Sequence, residues 1–203
     1  MSKVFASLGI SLDGYVAGPH AGPGNPLGDG GERLHEWLYG VEAWRDRHGL
    51  GGGETGRSGL VVSEIFDRAG AYVMGRRMFD EGERAWPDPP PFRAPVFVLT
   101  TSARDAWVRE GTVFTYVTDG VRAALDQALA VANGKDVQIS GGAHTVREYL
   151  NAGLVDELEL HMVPVLLGDG VRLFDGVDPA LRLVKDRVVD APDVTHLRYR
   201  TVR

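Results

Sequence analysis

A chain of 203 residues with 43% hydrophobic content is long enough to bury one substantial core, and a single domain over 1–203 is the expected organisation. Its 22 basic and 28 acidic residues leave a formal charge of -6, so there is no basic excess to hold a phosphate backbone and no nucleic acid partner is expected. Cysteine is absent, which removes disulfides, thiolate nucleophiles and thiolate metal sites together and fits a reducing, cytoplasmic location.

Val4-Phe5-Ala6-Ser7-Leu8-Gly9-Ile10 is apolar on both faces, as a central parallel strand requires, and it ends in the turn pair Asp13-Gly14. That buried strand, rather than a signal peptide, accounts for the apolar start, because no convincing cleavage site follows. No apolar stretch approaches the roughly 20 residues that cross a bilayer, so no membrane partner is expected. Between Gly18 and Gly31 lie six Gly and three Pro residues, a composition that predicts a mobile loop over a site.

Leu34, Trp37, Leu38, Val41 and Trp44 fall at helical spacing and predict an amphipathic helix over 34–45. A flexible segment is expected over 49–59, then a short helix over 63–69 leading into the strand Ala71-Tyr72-Val73-Met74. Val96-Phe97-Val98-Leu99 and Thr112 to Val117 read as further strands, and Val121, Ala124, Leu125, Ala128, Leu129 and Ala132 trace a helical stripe. Val137-Gln138-Ile139 is a brief strand entering Gly141-Gly142, followed by a helix carrying Val146, Tyr149 and Leu150 and closed by Gly153. After that, Leu158, Leu160 and Met162 alternate with polar residues, as do 181–190 and 194–201, and all three stretches are expected to lie antiparallel at the sheet edge. The whole is an α/β chain with a mostly parallel central sheet and a C-terminal antiparallel hairpin, whose hydrophobic edge makes a homodimer plausible.

Three strand ends carry candidate chemistry. Gly141-Gly142 stands where a strand hands over to a helix, so bare backbone and free amides can meet a diphosphate, although a tight turn needs the same residues. Gly75-Arg76-Arg77 occupies a similar position with two guanidinium forks that suit a phosphate. Thr100, Thr101 and Ser102 offer hydroxyls that suit a ribose or cap a turn. Carboxyl ends of parallel strands are where open α/β sheets bind ligands, and together the three tips describe NADP(H) better than a mononucleotide.

The segments Ser11-Leu12-Asp13-Gly14-Tyr15, Val73 through Phe79, Ile139-Ser140-Gly141-Gly142 and Asp156 through Phe174 together resemble the dihydrofolate reductase superfamily. They are most similar to the branch containing the reductase domain of the riboflavin-biosynthesis deaminase/reductase. The resemblance implies a three-layer α/β/α dihydrofolate reductase-like fold and an NADPH-dependent reductase acting on a small heterocycle, most specifically 5-amino-6-(5-phosphoribosylamino)uracil.

It places Gly75, Arg76 and Arg77 beside the 2'-phosphate, Thr100, Thr101 and Ser102 near the adenosine ribose, and Gly141, Gly142 and Ala143 at the diphosphate. The substrate would lie between Asp13 and the helix at 34–45, with Ser11 and Trp86 as further contacts. Asp13 is then the candidate for proton handling, whereas by composition alone Asp-Gly is a common turn. True folate reductases carry an acid on the first helix; Glu32, His35 and Glu36 are the candidates here, and their pattern is that of a solvated face. A dihydrofolate or other pterin or flavin reductase, and a non-catalytic NADP(H)-binding sensor domain, are the alternatives.

Overall fold

The computed structural model describes residues 2–202. Its main sheet has nine strands: β1 (Val4–Ser11), β3 (Ala69–Gly75), β4 (Val96–Leu99), β5 (Trp107–Arg109), β6 (Thr112–Val117), β7 (Asp136–Gly141), β8 (Glu157–Val163), β10 (Arg182–Ala191) and β11 (Val194–Val202), in spatial order β10-β11-β8-β1-β7-β3-β4-β6-β5. The inner strands β8 through β6 run parallel, while β11, β10 and β5 are antiparallel to their neighbours. A small second sheet pairs β2 (Tyr15–Ala17) with β9 (Val171–Arg172), tying the turn after β1 to the loop after β8.

Strand pleating divides the core in two. Val4, Ala6 and Ile10 of β1 join Val137, Ile139 and Leu158 under α5 (Gly120–Val131) and α6 (Ala143–Asn151). Phe5 faces the other way, joining Tyr72, Met74, Val96 and Phe114 under α3 (Arg57–Arg68) and α4 (Arg76–Gly82). Helices therefore cover both faces, the three-layer dihydrofolate reductase-like arrangement that the sequence implied.

Three expectations need correction. The helix over 34–45 is broken into a tight turn at Gly31–Leu34, α1 (Glu36–Tyr39) and α2 (Glu42–Arg47), because Gly40 ends the first piece and Val41 is extended. The helix read at 63–69 begins at Arg57 and so absorbs the end of the Gly-rich insert.

β8 is not an edge strand: it lies inside the sheet, and its polar residues Glu157, Glu159 and His161 are buried against the α3 layer. Buried charge needs partners, and they are present. Arg68 reaches Asp136, Glu157 and Glu159 at 2.7 to 2.8 Å, Lys3 holds Glu157, and Arg198 holds Glu159. Only β10 presents a mostly exposed strand at that edge.

The Gly-rich loop also has internal structure. Gly18 N donates to Leu27 O, Asp29 N to Pro19 O, and His20 and Asn25 both hold the Asp29 carboxylate. These bonds lay Pro26 and Leu27 over a cavity beside β1.

Candidate active site

The tips of β3, β4, β6 and β7 open onto one groove of about 670 Å³, lined by Gly75, Arg76, Arg77, Thr100, Thr101, Gly142 and Thr145, among others. The strand tips grouped from the sequence thus share one groove, apart from Ser102. Gly75 sits so close to α6 that a Cβ there would overlap Thr145 Oγ1. Gly141 has φ +129, a region that disfavours side chains, and its bond to Gly142 is cis. The first intrahelical bond at the start of α6 is Val146 N to Gly142 O, so the amides of Ala143, His144 and Thr145 precede the helical ladder and are free for an anion.

The two arginines differ. Arg76 Nε bonds Asp80 at 2.6 Å and its Nη1 reaches Thr100 Oγ1 at 3.5 Å, which leans the guanidinium along the groove. Arg77 is 58% exposed, with Glu81 the carboxylate near its Nε at 3.7 Å, leaving its remaining donors for a ligand. Ser102 is not among the groove-lining residues; its amide donates to Thr100 Oγ1 in a local turn.

A second cavity, of about 290 Å³, lies between β1 and α3. Arg77, Met78 and Gly142 line both spaces, so groove and cavity meet at the Gly141-Gly142 turn. Gly141 and Ala143 face this inner cavity. Its walls are Val62, Ile65 and Phe66 of α3, Trp37 and Leu38 of α1, and Ser7, Leu8 and Gly9 of β1.

Polar groups at the cavity wall are left without partners. Gln138 Oε1, Ser140 Oγ and Glu81 Oε1 are buried and accept no hydrogen bond. Such orphans are rare and call for a ligand or ordered water. Burial pushes the Glu81 carboxyl above its ordinary range, with Arg77 opposing the shift. Sequence reading missed these three. Their signal was the alternation of β7, in which Val137 and Ile139 enter one core while Gln138 and Ser140 turn to the cavity, and the four-residue spacing of Glu81 from Arg77.

The residues expected at the substrate end behave differently. Ser11 is buried, its hydroxyl donating to Asp13 at 2.6 Å and accepting from Tyr15 N at 2.8 Å. Asp13 also accepts from Leu167 N at 3.2 Å and Gly168 N at 2.8 Å. These bonds, Ser11 foremost, hold its carboxyl down at about 2. Neither residue lines the cavity. Trp86 stacks on Phe114 at 5.5 Å and meets Phe79 and Phe92 edge-on under the Pro-rich loop, again away from the cavity. Glu32 and Glu36 are exposed, whereas His35 lines the cavity.

The fold is dihydrofolate reductase-like. The chain aligns with Enterococcus faecalis dihydrofolate reductase complexed with NADP(H) at TM-score 0.55 and 16% identity, covering 98% of this chain and 96% of that one. It also aligns with the bifunctional diaminohydroxyphosphoribosylaminopyrimidine deaminase/5-amino-6-(5-phosphoribosylamino)uracil reductase of Thermotoga maritima at TM-score 0.60 and 14% identity, covering 99% of this chain and 57% of that one. Within that class, residues 2–196 match the RibD C-terminal domain, and the chain belongs to this family. The protein YyaP of Bacillus subtilis is 44% identical over 181 residues, 89% of this chain and 85% of that protein.

Proposed function

We propose that this protein is an NADPH-dependent reductase that passes hydride to a pyrimidine-like heterocycle held in the cavity between β1 and α3. The observation that carries the reading is the junction: a groove with two arginines, hydroxyls and free helix amides opens into a largely apolar cavity at which side-chain atoms of His35, Glu81, Gln138 and Ser140 have no hydrogen-bond partner. A phosphorylated dinucleotide needs the first and a flat, hydrogen-bonding ring the second. The family and the Thermotoga relative's reductase half make 5-amino-6-(5-phosphoribosylamino)uracil the leading substrate.

In this reading the Ala143, His144 and Thr145 amides hold the diphosphate, Arg76 and Arg77 meet the 2'-phosphate, and Thr100 and Thr101 lie by the adenosine ribose. When bound, the nicotinamide supplies the hydride. The chain supplies position: α3 and α1 exclude water, and Gln138, Ser140 and Glu81 orient the ring edge. Asp13 serves as a latch between the turn after β1 and the loop at Leu167-Gly168 rather than as the proton donor, since a carboxyl held at about 2 stays ionised near neutral pH. The folate alternative loses ground because neither α1, through Trp37 and Leu38, nor α3, through Val62, Ile65 and Phe66, brings a carboxylate to the cavity, and the acid at its wall is Glu81 of α4 instead.

The test is a fluorescence titration with NADPH and NADH, followed by the loss of reduced-nicotinamide absorbance with 5-amino-6-(5-phosphoribosylamino)uracil. NADPH is expected to bind more tightly than NADH and to be oxidised only with substrate. Replacing Arg76 and Arg77 together by Ala should weaken NADPH about 10- to 100-fold, the scale of hydrogen bonds to charged groups, and leave NADH nearly unchanged. Binding without turnover would favour the sensor alternative, and no binding would end the reading.

A further inference from the structure

A file of four side chains crosses the protein outside the groups used above. Ser7 Oγ lies 2.8 Å from His161 Nε2, His161 Nδ1 lies 2.8 Å from His196 Nδ1, and His196 Nε2 lies 3.0 Å from Ser58 Oγ. The file runs from β1 across β8 and β11 to the first turn of α3. Ser7 and His161 line the inner cavity. Ser58 lines a separate surface groove of about 590 Å³ with Glu54, Arg57, Asp190 and Asp193. Trp37 lies against both imidazoles, with ring centroids 5.3 and 5.0 Å away, and lines both spaces.

The Nδ1···Nδ1 contact fixes how protons are arranged. Two ring nitrogens at this distance share one proton, so two neutral imidazoles must hold complementary tautomers. In one arrangement Ser7 donates to His161 Nε2, His161 Nδ1 donates to His196 Nδ1, and His196 Nε2 donates to Ser58. In the other every bond is reversed: Ser58 donates to His196, His196 to His161, and His161 to Ser7. Passing from the second to the first moves the three shared protons one place toward Ser7, while the Ser7 hydroxyl releases a proton on the cavity side and the Ser58 hydroxyl gains one on the groove side.

Both rings are kept neutral by their surroundings. Burial presses His161 down to about 3, aided by His196 and His35, and presses His196 down to about 4, aided by Arg187 on β10. Glu159 and Arg198 also border the rings, but that carboxylate is taken by Arg68 and Arg198.

We propose that Ser58, His196, His161 and Ser7 form a proton path that delivers the proton of reduction from the outer groove to the substrate in the cavity. The inference rests on the reductase reading. Reducing a C=N or C=O bond consumes one hydride, from the reduced nicotinamide, and one proton. The Ser7 hydroxyl gives its proton to the substrate heteroatom and is refilled from His161 Nε2. His161 Nδ1 takes the proton of His196 Nδ1, His196 Nε2 takes that of Ser58, and water restores the Ser58 hydroxyl. Ser7 is the catalytic residue of this set; His161, His196 and Ser58 act through it.

The experiment has two arms. Nitrogen-15 spectra of the histidine side chains, recorded without cofactor or substrate, are expected to show both rings neutral from pH 6 to 8 with a scalar coupling across the Nδ1···Nδ1 bond. A ring that titrates in that range, or an absent coupling, overturns the path whatever the enzyme does. In the second arm, His196→Gln keeps a hydrogen-bonding side chain but cannot pass a proton. With NADPH affinity and KM for 5-amino-6-(5-phosphoribosylamino)uracil unchanged, kcat should fall about a hundredfold, the low end for a positioned proton donor, and the solvent deuterium isotope effect should rise. Ser58→Ala, which cuts the outer end at a half-buried site, should reproduce the change in isotope effect. Unchanged kcat and isotope effect in a folded His196→Gln protein overturn the proposal, whereas failure of the wild-type protein to bind NADPH instead removes the reductase reading.

Discussion

The turn after β1 and the tips of β3 and β7 looked alike as ligand-facing strand ends, yet they end up in opposite states. At the turn, Ser11, Asp13 and Tyr15 satisfy one another and the Leu167-Gly168 amides. At the tips, the Arg77 guanidinium, the helix amides and the buried oxygens of Gln138, Ser140 and Glu81 border open space. Residue type at a strand end therefore does not say whether a polar group is already satisfied; its hydrogen-bond partners do. A closed polar network specifies backbone, and an open one waits for a partner.

Three substitutions sharpen that comparison. The largest effect is expected at the tip, for Gly141→Val. A side chain at φ +129 costs about 1–3 kcal/mol of strain, and the branches beyond its Cβ, which itself comes within 3.4 Å of Met78 Sδ, would enter the space where groove and cavity join. NADPH affinity by fluorescence should drop more than about tenfold, and the melting temperature should fall with it.

Glu81→Gln should act in opposite directions on the two properties. The folded carboxyl holds its proton more tightly than the unfolded one, so its ionised form costs stability above its ordinary titration range, and the amide should melt slightly higher. Substrate KM should nevertheless rise about tenfold, near 1.4 kcal/mol, while NADPH affinity stays put. A variant with unchanged KM would remove Glu81 from the substrate end.

The smallest effect belongs to the turn. Asp13→Asn should leave kcat nearly intact and lower the melting temperature modestly at neutral pH. Because the folded pKa of about 2 lies below the ordinary 3.8, Asp13 stabilises the fold above pH about 4 and loses that contribution as pH falls toward 2. Thermal melts across that acid limb should therefore converge for the two proteins. A large loss of kcat instead would restore Asp13 to the chemistry.

Much of this protein was legible in its residues. Continuous apolar runs marked β1, β3 and β4 because strands covered on both faces need no alternation, and the stripe from Val121 to Ala132 marked α5 within a residue at each end. The glycines and arginines of the strand tips were found for the same reason, since each sits next to an apolar run that announces its position. What misled was alternation in β8. Its polar residues, alternating with Leu158, Leu160 and Met162, read as the mark of an edge strand, but polarity at period two says only that one face differs from the other. Arg68 on α3 and Arg198 on β11, distant in sequence, turn that face into buried structure.

Local composition and spacing were enough to give the α/β class, the parallel core and the strand ends that border the groove. The tertiary structure alone decided which polar groups are spent on one another and which face the crevice. That choice is made by partners more than a hundred residues apart, Ser7 with His161 and Asp13 with Gly168 among them. No local pattern encodes such a pairing; it exists only once the chain has closed.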